Sequence, residues 1–196
     1  MILKQLLSPY NLILASGSPR RQKFLEELDL EFTIKLKEVE EIYPPELNGS
    51  DITEFLCKLK AKPFLAELGV MDILITCDTI VWHEGNALGK PTSKEDAYTM
   101  LKSMSGKTHH VYSSVCLSIV GEQICFSEDT EVTFKNLNDE DIWYYINTYH
   151  PMDKAGAYGI QEWIGHIGIQ QLKGSYNNVV GLPTEKLYDQ LTKLVS

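Results

Sequence analysis

The chain has 196 residues, 43% of them hydrophobic, and a formal net charge of -9. That length suits one large α/β domain or two small lobes, and the acidic balance excludes a general nucleic-acid binder, which needs a basic surface to displace counterions. No run approaches the roughly 18 uninterrupted apolar residues of a membrane span. Residues 1–11 lack the basic region, apolar core and cleavage site of a signal peptide, so a cytoplasmic protein without a membrane partner is expected.

Leu12 to Ala15 reads as a buried strand and Pro19 to Leu28 as a helix, with Ser18 at the N-cap. Glu31 to Lys35 reads as a second strand, and the acidic, Pro-containing stretch Glu38 to Gly49 as a loop. Ser50 is placed to cap a helix reaching Leu68, ended by Gly69. Ile73 to Cys77 has strand length, followed by Asp78-Thr79 and then Ile80-Val81-Trp82. Thr92 with Glu95 forms a capping-box pattern before a helix to Met104. Val111 to Val120 and Glu122 to Lys135 flank Gly121 as a long hairpin. Asn138 starts a helix to Thr148, Gly165 to Lys173 reads as a strand, and Thr184 to Val195 as a closing helix. Early βα alternation with a later hairpin predicts a mixed sheet in two lobes, within a single domain covering 1–196.

The run Ser16-Gly17-Ser18-Pro19-Arg20-Arg21 carries the clearest chemistry. A helix N-terminus disfavours cations, so Arg20 and Arg21 there suit a bound anion. Free backbone N–H groups, a Gly-containing loop and two guanidinium forks make a phosphate site. Asp78, following an apolar strand, is the best candidate catalytic carboxylate, although an Asp there can also cap a turn. Glu40 and Glu41 add carboxylates which, with Asp78, could hold a hard divalent cation. Lys60, Lys90 and Lys154 are the basic candidates. In Lys154-Ala155-Gly156-Ala157-Tyr158-Gly159-Ile160-Gln161, small residues imply close backbone approach, and Gln161 offers both a donor and an acceptor to a base. Cys57, Cys77, Cys116 and Cys125 have no metal-ligand spacing and read as buried reduced thiols.

Together these motifs resemble the Maf family of nucleoside triphosphate pyrophosphatases, historically linked to septum formation. The resemblance rests on Ser16 to Arg21, Asp78-Thr79, Gly89-Lys90-Pro91, Ser105-Gly106-Lys107-Thr108-His109, Asp153 to Gln161, Gly174-Ser175-Tyr176 and Val180-Gly181-Leu182-Pro183, in the family's order. It implies an elongated, two-lobed mixed α/β fold like that of inosine triphosphate pyrophosphatases, with flanking helices and a central cleft. It implies cleavage of dTTP and UTP between the α and β phosphates, in the service of clearing non-standard nucleotides, and a homodimer. Asp78 matches the family's catalytic base. Arg20, Thr79 and Gln161 match its base-preference positions, and Ser16, Ser18, Arg21, Lys60, Lys90 and Lys154 its phosphate contacts. Glu41 and Asp78 would face a divalent metal, Mg²⁺ or Mn²⁺. Lys60-Ala61 fits the family's Lys-Ala with a small shift, leaving Lys58 and Lys62 as alternatives. Glu162-Trp163 stands where the family more commonly has Gly after the Gln.

Three rival functions differ in what they would do. An aspartyl phosphatase would use Asp78 as a nucleophile, but that class wants a second Asp two residues on, where Ile80 stands. A nucleotide-binding regulator of cell division would bind with little turnover. A Ser or Cys hydrolase lacks its nucleophile elbow here, and the five histidines form no constellation with a nucleophile.

Overall fold

The computed structural model describes residues 2–196. In chain order the elements are α1 (Leu3–Leu6), β1 (Asn11–Leu14), α2 (Pro19–Glu27), β2 (Thr33–Ile34), α3 (Ser50–Ala61), β3 (Asp72–His83), β4 (Asn86–Leu88), α4 (Lys94–Met104), β5 (Thr108–Ile119), β6 (Glu122–Phe134), α5 (Asp139–Tyr149), α6 (Trp163–Gly168), β7 (Ile169–Lys173), α7 (Tyr176–Val180) and α8 (Thr184–Leu194). The strands form one seven-stranded sheet, in the order β2-β1-β3-β5-β6-β7 with β4 paired to β3. β1 runs parallel to β2 and β3, whereas β4 is antiparallel to β3 and β7 to β6. This is the mixed α/β class expected from the sequence.

Several boundaries differ from the sequence reading, each for a local reason. β3 is a single twelve-residue strand, so Asp78 sits inside it rather than beyond its end. Residues 163–168 are helical, because the N–H groups of Gly165 and His166 both bond back to the Glu162 carbonyl. Gly49 rather than Ser50 is the N-cap of α3. That helix tightens into a 3₁₀ turn at Lys62–Glu67, where Pro63 cannot supply the next backbone N–H. In α4 the cap moves by one residue: Ser93 accepts from the Asp96 N–H at 3.1 Å, while the Thr92 hydroxyl and N–H bond to the Asp96 carboxylate. At α5, Asn138 caps as read, accepting from the Asp141 N–H at 2.7 Å.

The expectation of four reduced thiols is corrected. Cys57 and Cys77 are free and buried, but Cys116 and Cys125 form a disulfide with Cα atoms 4.1 Å apart. The short connection at Val120-Gly121 sets Ile119 opposite Glu122, and counting back three residues on each strand sets Cys116 opposite Cys125.

The chain divides into two compact units. Unit 1 comprises Met1–Asp78, Ser113–Glu128 and Gly181–Ser196. Its core packs Leu12 and Leu14 of β1, Leu25 of α2, Ile73, Ile75 and Cys77 of β3, Val115 and Leu117 of β5, and Leu187 and Leu191 of α8. Unit 2 comprises Thr79–Tyr112 and Asp129–Val180. It buries Leu101 and Met104 of α4 and Ile142, Tyr145 and Ile146 of α5, with Phe134 and Tyr158. His109 is buried among the rings of His83, Phe134 and Tyr158, its Nε2 2.8 Å from the Tyr158 hydroxyl. Its neighbour His110 faces the other way and meets Asp129 at 2.9 Å, as strand alternation requires.

Burial, reinforced by His83 and His110, pushes the His109 imidazole from 6.5 down to about 3. A histidine kept neutral in the fold stabilises it fully above the unfolded value. That contribution fades as pH falls from about 6.5 towards 3, because the unfolded chain takes up the proton first. The expected slope is at most about 1.4 kcal/mol per pH unit. Urea unfolding of wild type and His109→Leu between about pH 7 and pH 4 should show a steeper acid loss in the wild type, and parallel profiles would contradict it.

Candidate active site

The site in unit 1 follows from how β1 and β3 pair. The register Leu14↔Ile75 and the bond from the Ala15 N–H to Ile75 O bring the segment leaving β1 alongside the second half of β3. Ser16 then lies beside Cys77, and Arg21 from the first turns of α2 links the two: its Nη1 donates to Ser16 Oγ at 3.2 Å and to Cys77 O at 3.1 Å. Arg21 Nε donates to Gly181 O at 2.9 Å. Ser18 occupies the N-cap of α2 without a side-chain cap bond, and its N–H donates to Ser16 Oγ at 3.3 Å. Arg20 follows in the same first turn, half-buried. Residues 16–21 are thus fixed to β3 by Arg21.

α3 lies along the face of β3 that carries Thr76 and Asp78. The Thr76 hydroxyl donates to Cys57 O at 2.9 Å. Three residues further along α3 and two along β3, Lys60 Nζ reaches Asp78 Oδ1 at 2.5 Å. Lys60 also lies 3.1 Å from Glu41 Oε2, supplied by the loop after β2. Lys58 and Lys62 are exposed, so Lys60 is the lysine the fold brings to Asp78. The Asp78 side chain is 9% exposed and that of Lys60 17%. Burial raises the Asp78 carboxyl above its ordinary value; Lys60 and Arg21 offset part of that, and Glu41 adds to it. Burial pulls the Lys60 ammonium down, but the Asp78 carboxylate more than reverses this and leaves it raised. Burial also raises both thiols, Cys57 and Cys77, so neither is a ready thiolate nucleophile.

Unit 2 holds the remaining candidates. Thr79 is the residue after Asp78 and, by strand alternation, points to the opposite face. Lys90 is exposed in the turn after β4. The carbonyl of its neighbour Gly89 accepts the Gly156 N–H at 3.0 Å, which ties this turn to the segment from Lys154 to Gln161. Gly156 has φ 65°, and a Cβ there would lie 2.8 Å from Val81 Cγ2, so the segment needs glycine at this point. Lys154 Nζ lies 2.7 Å from Asp153 and 3.0 Å from Glu162. Gln161 is exposed at the end of the segment.

The donor set tests whether a divalent metal fits. Glu41 and Asp78 converge on one cationic group, Lys60, and offer hard oxygen ligands of the type Mg²⁺ and Mn²⁺ take. Among the described residues no cluster of three or more His, Cys, Asp or Glu could hold a metal. Two carboxylates alone leave most of such a cation's coordination positions to other oxygen donors.

A match to the Maf family, described as Maf-like protein, covers residues 11–194. The chain belongs to the Maf family. A dTTP/UTP pyrophosphatase of Flavobacterium johnsoniae is 57% identical over 194 residues, 99% of this chain and 100% of the relative. Proteins of the same name from Flavobacterium psychrophilum and Bacteroides fragilis are 51% and 48% identical, over 95% and 96% of this chain and 96% and 98% of theirs. The Ham1 protein of Staphylococcus aureus superposes with a TM-score of 0.52 at 15% identity, covering 94% of this chain and 99% of that one, which shows a shared fold.

Sequence reasoning singled out Asp78, Lys60, Glu41 and Arg21 one by one, and the structure brings them together in unit 1. It missed Tyr145, whose hydroxyl bonds Glu162 and accepts the Gly159 N–H at 3.0 Å. A polar tip on an otherwise apolar helix face was the available signal. Removing Lys60 should leave Asp78 buried without its partner. Lys60→Met is expected to cost about 3 kcal/mol, with Asp78→Asn in the same chain restoring most of it; urea midpoints of the single and double variants check this.

Proposed function

We propose that this Maf-family protein is a dTTP/UTP pyrophosphatase, hydrolysing these nucleotides to the monophosphate and pyrophosphate. The observation that carries the reading is the buried Asp78 carboxylate held by Lys60 beside Glu41, one residue before Thr79. The full-length relatives at 57%, 51% and 48% identity, each named dTTP/UTP pyrophosphatase, support it.

Asp78 takes the proton of the water that attacks the α-phosphorus. Its raised pKa matters here, because a carboxylate at its ordinary value near 4 is a weak base. Lys60 fixes the orientation of that carboxylate through Oδ1 and keeps the second oxygen for the water. The bond from the α-phosphorus to the bridging oxygen breaks, and its electron pair leaves with pyrophosphate. Arg21, Lys90 and Lys154, with the hydroxyls and N–H groups of Ser16 and Ser18, meet the phosphate charge. A divalent cation held by Glu41 and Asp78, when bound, would neutralise phosphate charge and acidify the water. Arg20, Thr79 and Gln161 set base preference, with Gln161 offering a donor and an acceptor to the pyrimidine edge.

The wider role proposed is removal of non-standard nucleotides in the cytoplasm. Among the described residues no helix is long and apolar enough to cross a membrane.

The deciding experiment gives the protein dTTP, UTP, CTP, 7-methyl-GTP and ITP with Mg²⁺ or Mn²⁺ and separates pyrophosphate from orthophosphate. Pyrophosphate from dTTP and UTP is expected, with kcat lowered at least about a hundredfold in Asp78→Asn. Orthophosphate as the product, or tight binding without turnover, would overturn the reading. Gln161→Ala should shift the ratio of kcat/KM between UTP and ITP by about tenfold while lowering kcat for UTP far less; equal losses on every nucleotide would make Gln161 structural.

A further inference from the structure

The segment Asp153 to Glu162 ends in a carboxylate that the pyrophosphatase reading leaves without a role. Glu162 Oε1 lies 3.0 Å from Lys154 Nζ, and its Oε2 accepts the hydroxyl of Tyr145. The Tyr145 oxygen in turn accepts the Gly159 N–H at 3.0 Å. The Glu162 N–H donates to Gly159 O at 3.0 Å, closing a backbone turn around Ile160 and Gln161. One hydroxyl from α5 therefore holds both ends of the turn that presents Gln161. The same carboxylate holds the lysine at the start of the segment.

Packing agrees with the hydrogen bonds. A Cβ at Gly159 would lie 2.9 Å from Glu162 Cδ and 3.1 Å from Lys154 Cε, so the paired side chains lie directly over that backbone. The Tyr145 ring is fully buried and stacked on Tyr149, which leaves its hydroxyl little freedom to move. The Glu162 side chain is 25% exposed and that of Lys154 11%, so this pair is shielded from water more than a surface ion pair.

We propose that Glu162, locked by Tyr145, is a positioning residue that sets pyrimidine selectivity by holding Lys154 and the Gln161 turn in one arrangement. The inference rests on the pyrophosphatase reading. A free lysine stem samples many rotamers and a free Gln161 turn several backbone states, so each would otherwise lose entropy when the nucleotide binds. With the tie intact the donor and acceptor of Gln161 are set before the base arrives. A base whose edge does not match then leaves polar groups unpaired, and this is how a rigid site rejects it. The tie touches neither Asp78 nor Lys60, so its loss acts on selectivity and KM more than on the chemical step.

The test compares wild type, Tyr145→Phe, Glu162→Gln, the double variant and Gly159→Ala. Steady-state kinetics on UTP and ITP are combined with peptide-resolved reductive methylation of Lys154, using exposed Lys58 as the internal reference. In each single variant the UTP/ITP ratio of kcat/KM should fall about tenfold, mainly through KM for UTP. The double variant should fall no further than the worse single one, since both break the same tie. Methylation of Lys154 should rise at least about twofold in Glu162→Gln. Wild-type selectivity retained in Tyr145→Phe and Glu162→Gln, or losses that simply multiply in the double variant, would overturn the inference while leaving the pyrophosphatase reading intact. A wild-type protein that releases no pyrophosphate overturns that reading and the selectivity role with it. Thermal midpoints identify any variant that is merely unfolded, and Gly159→Ala supplies an independent break of the same tie that leaves both polar side chains in place.

Discussion

A carboxylate inside a buried strand is the constraint around which unit 1 is arranged. Asp78 carries its charge in the middle of β3, where an isolated ion would cost several kcal/mol. The fold answers with Lys60 from α3 and Arg21 from α2, both of which favour the charged form. Those two cations also fix structure. Arg21 gathers Ser16, Cys77 and Gly181, so one guanidinium joins the loop after β1, the central strand and the segment before α8. Lys60 draws in Glu41 from the long acidic loop after β2. A single electrostatic requirement therefore organises five separate stretches of chain.

Unit 2 solves a different problem. A turn of small residues ending in exposed Gln161 has to be held in one conformation. Backbone is pinned at one end by Gly156 on the Gly89 carbonyl and at the other by Gly159 on the Tyr145 hydroxyl. Tyr158, in between, is anchored by His109 in the buried aromatic cluster. Rigidity here comes from polar groups with defined partners, whose directionality specifies one geometry better than apolar packing alone.

Much of this was legible in the chain. The Ser16 to Arg21 run announced its strand, loop and helix because Ser, Pro and paired Arg each have a positional meaning at a helix start. The Asn138 cap and the long hairpin were legible for the same local reason. What was not legible depended on distant partners. Asp78-Thr79 reads as an interruption because a carboxylate is out of place in a strand, and the lysine that accommodates it lies 18 residues earlier. The Tyr145–Glu162 tie spans 17 residues and joins a helix to a turn, with no periodicity to mark it. The Cys116–Cys125 pairing could have been counted from the Val120-Gly121 turn, but the missing metal-ligand spacing and the apolar runs around the cysteines argued for reduced thiols.

The division of the chain also dictates an order of events during synthesis. Unit 1 is assembled from three stretches, the last of which is Gly181–Ser196. Leu182, Leu187 and Leu191 share a core with Leu12 and Leu14, and Gly181 supplies the acceptor for Arg21. While a ribosome is still making the protein, all of unit 2 through Val180 has been translated before that core can close. The Ser16 to Arg21 run, made early, is thus among the last to reach its final geometry, and a prematurely terminated chain would carry the motif without the fold that sets it.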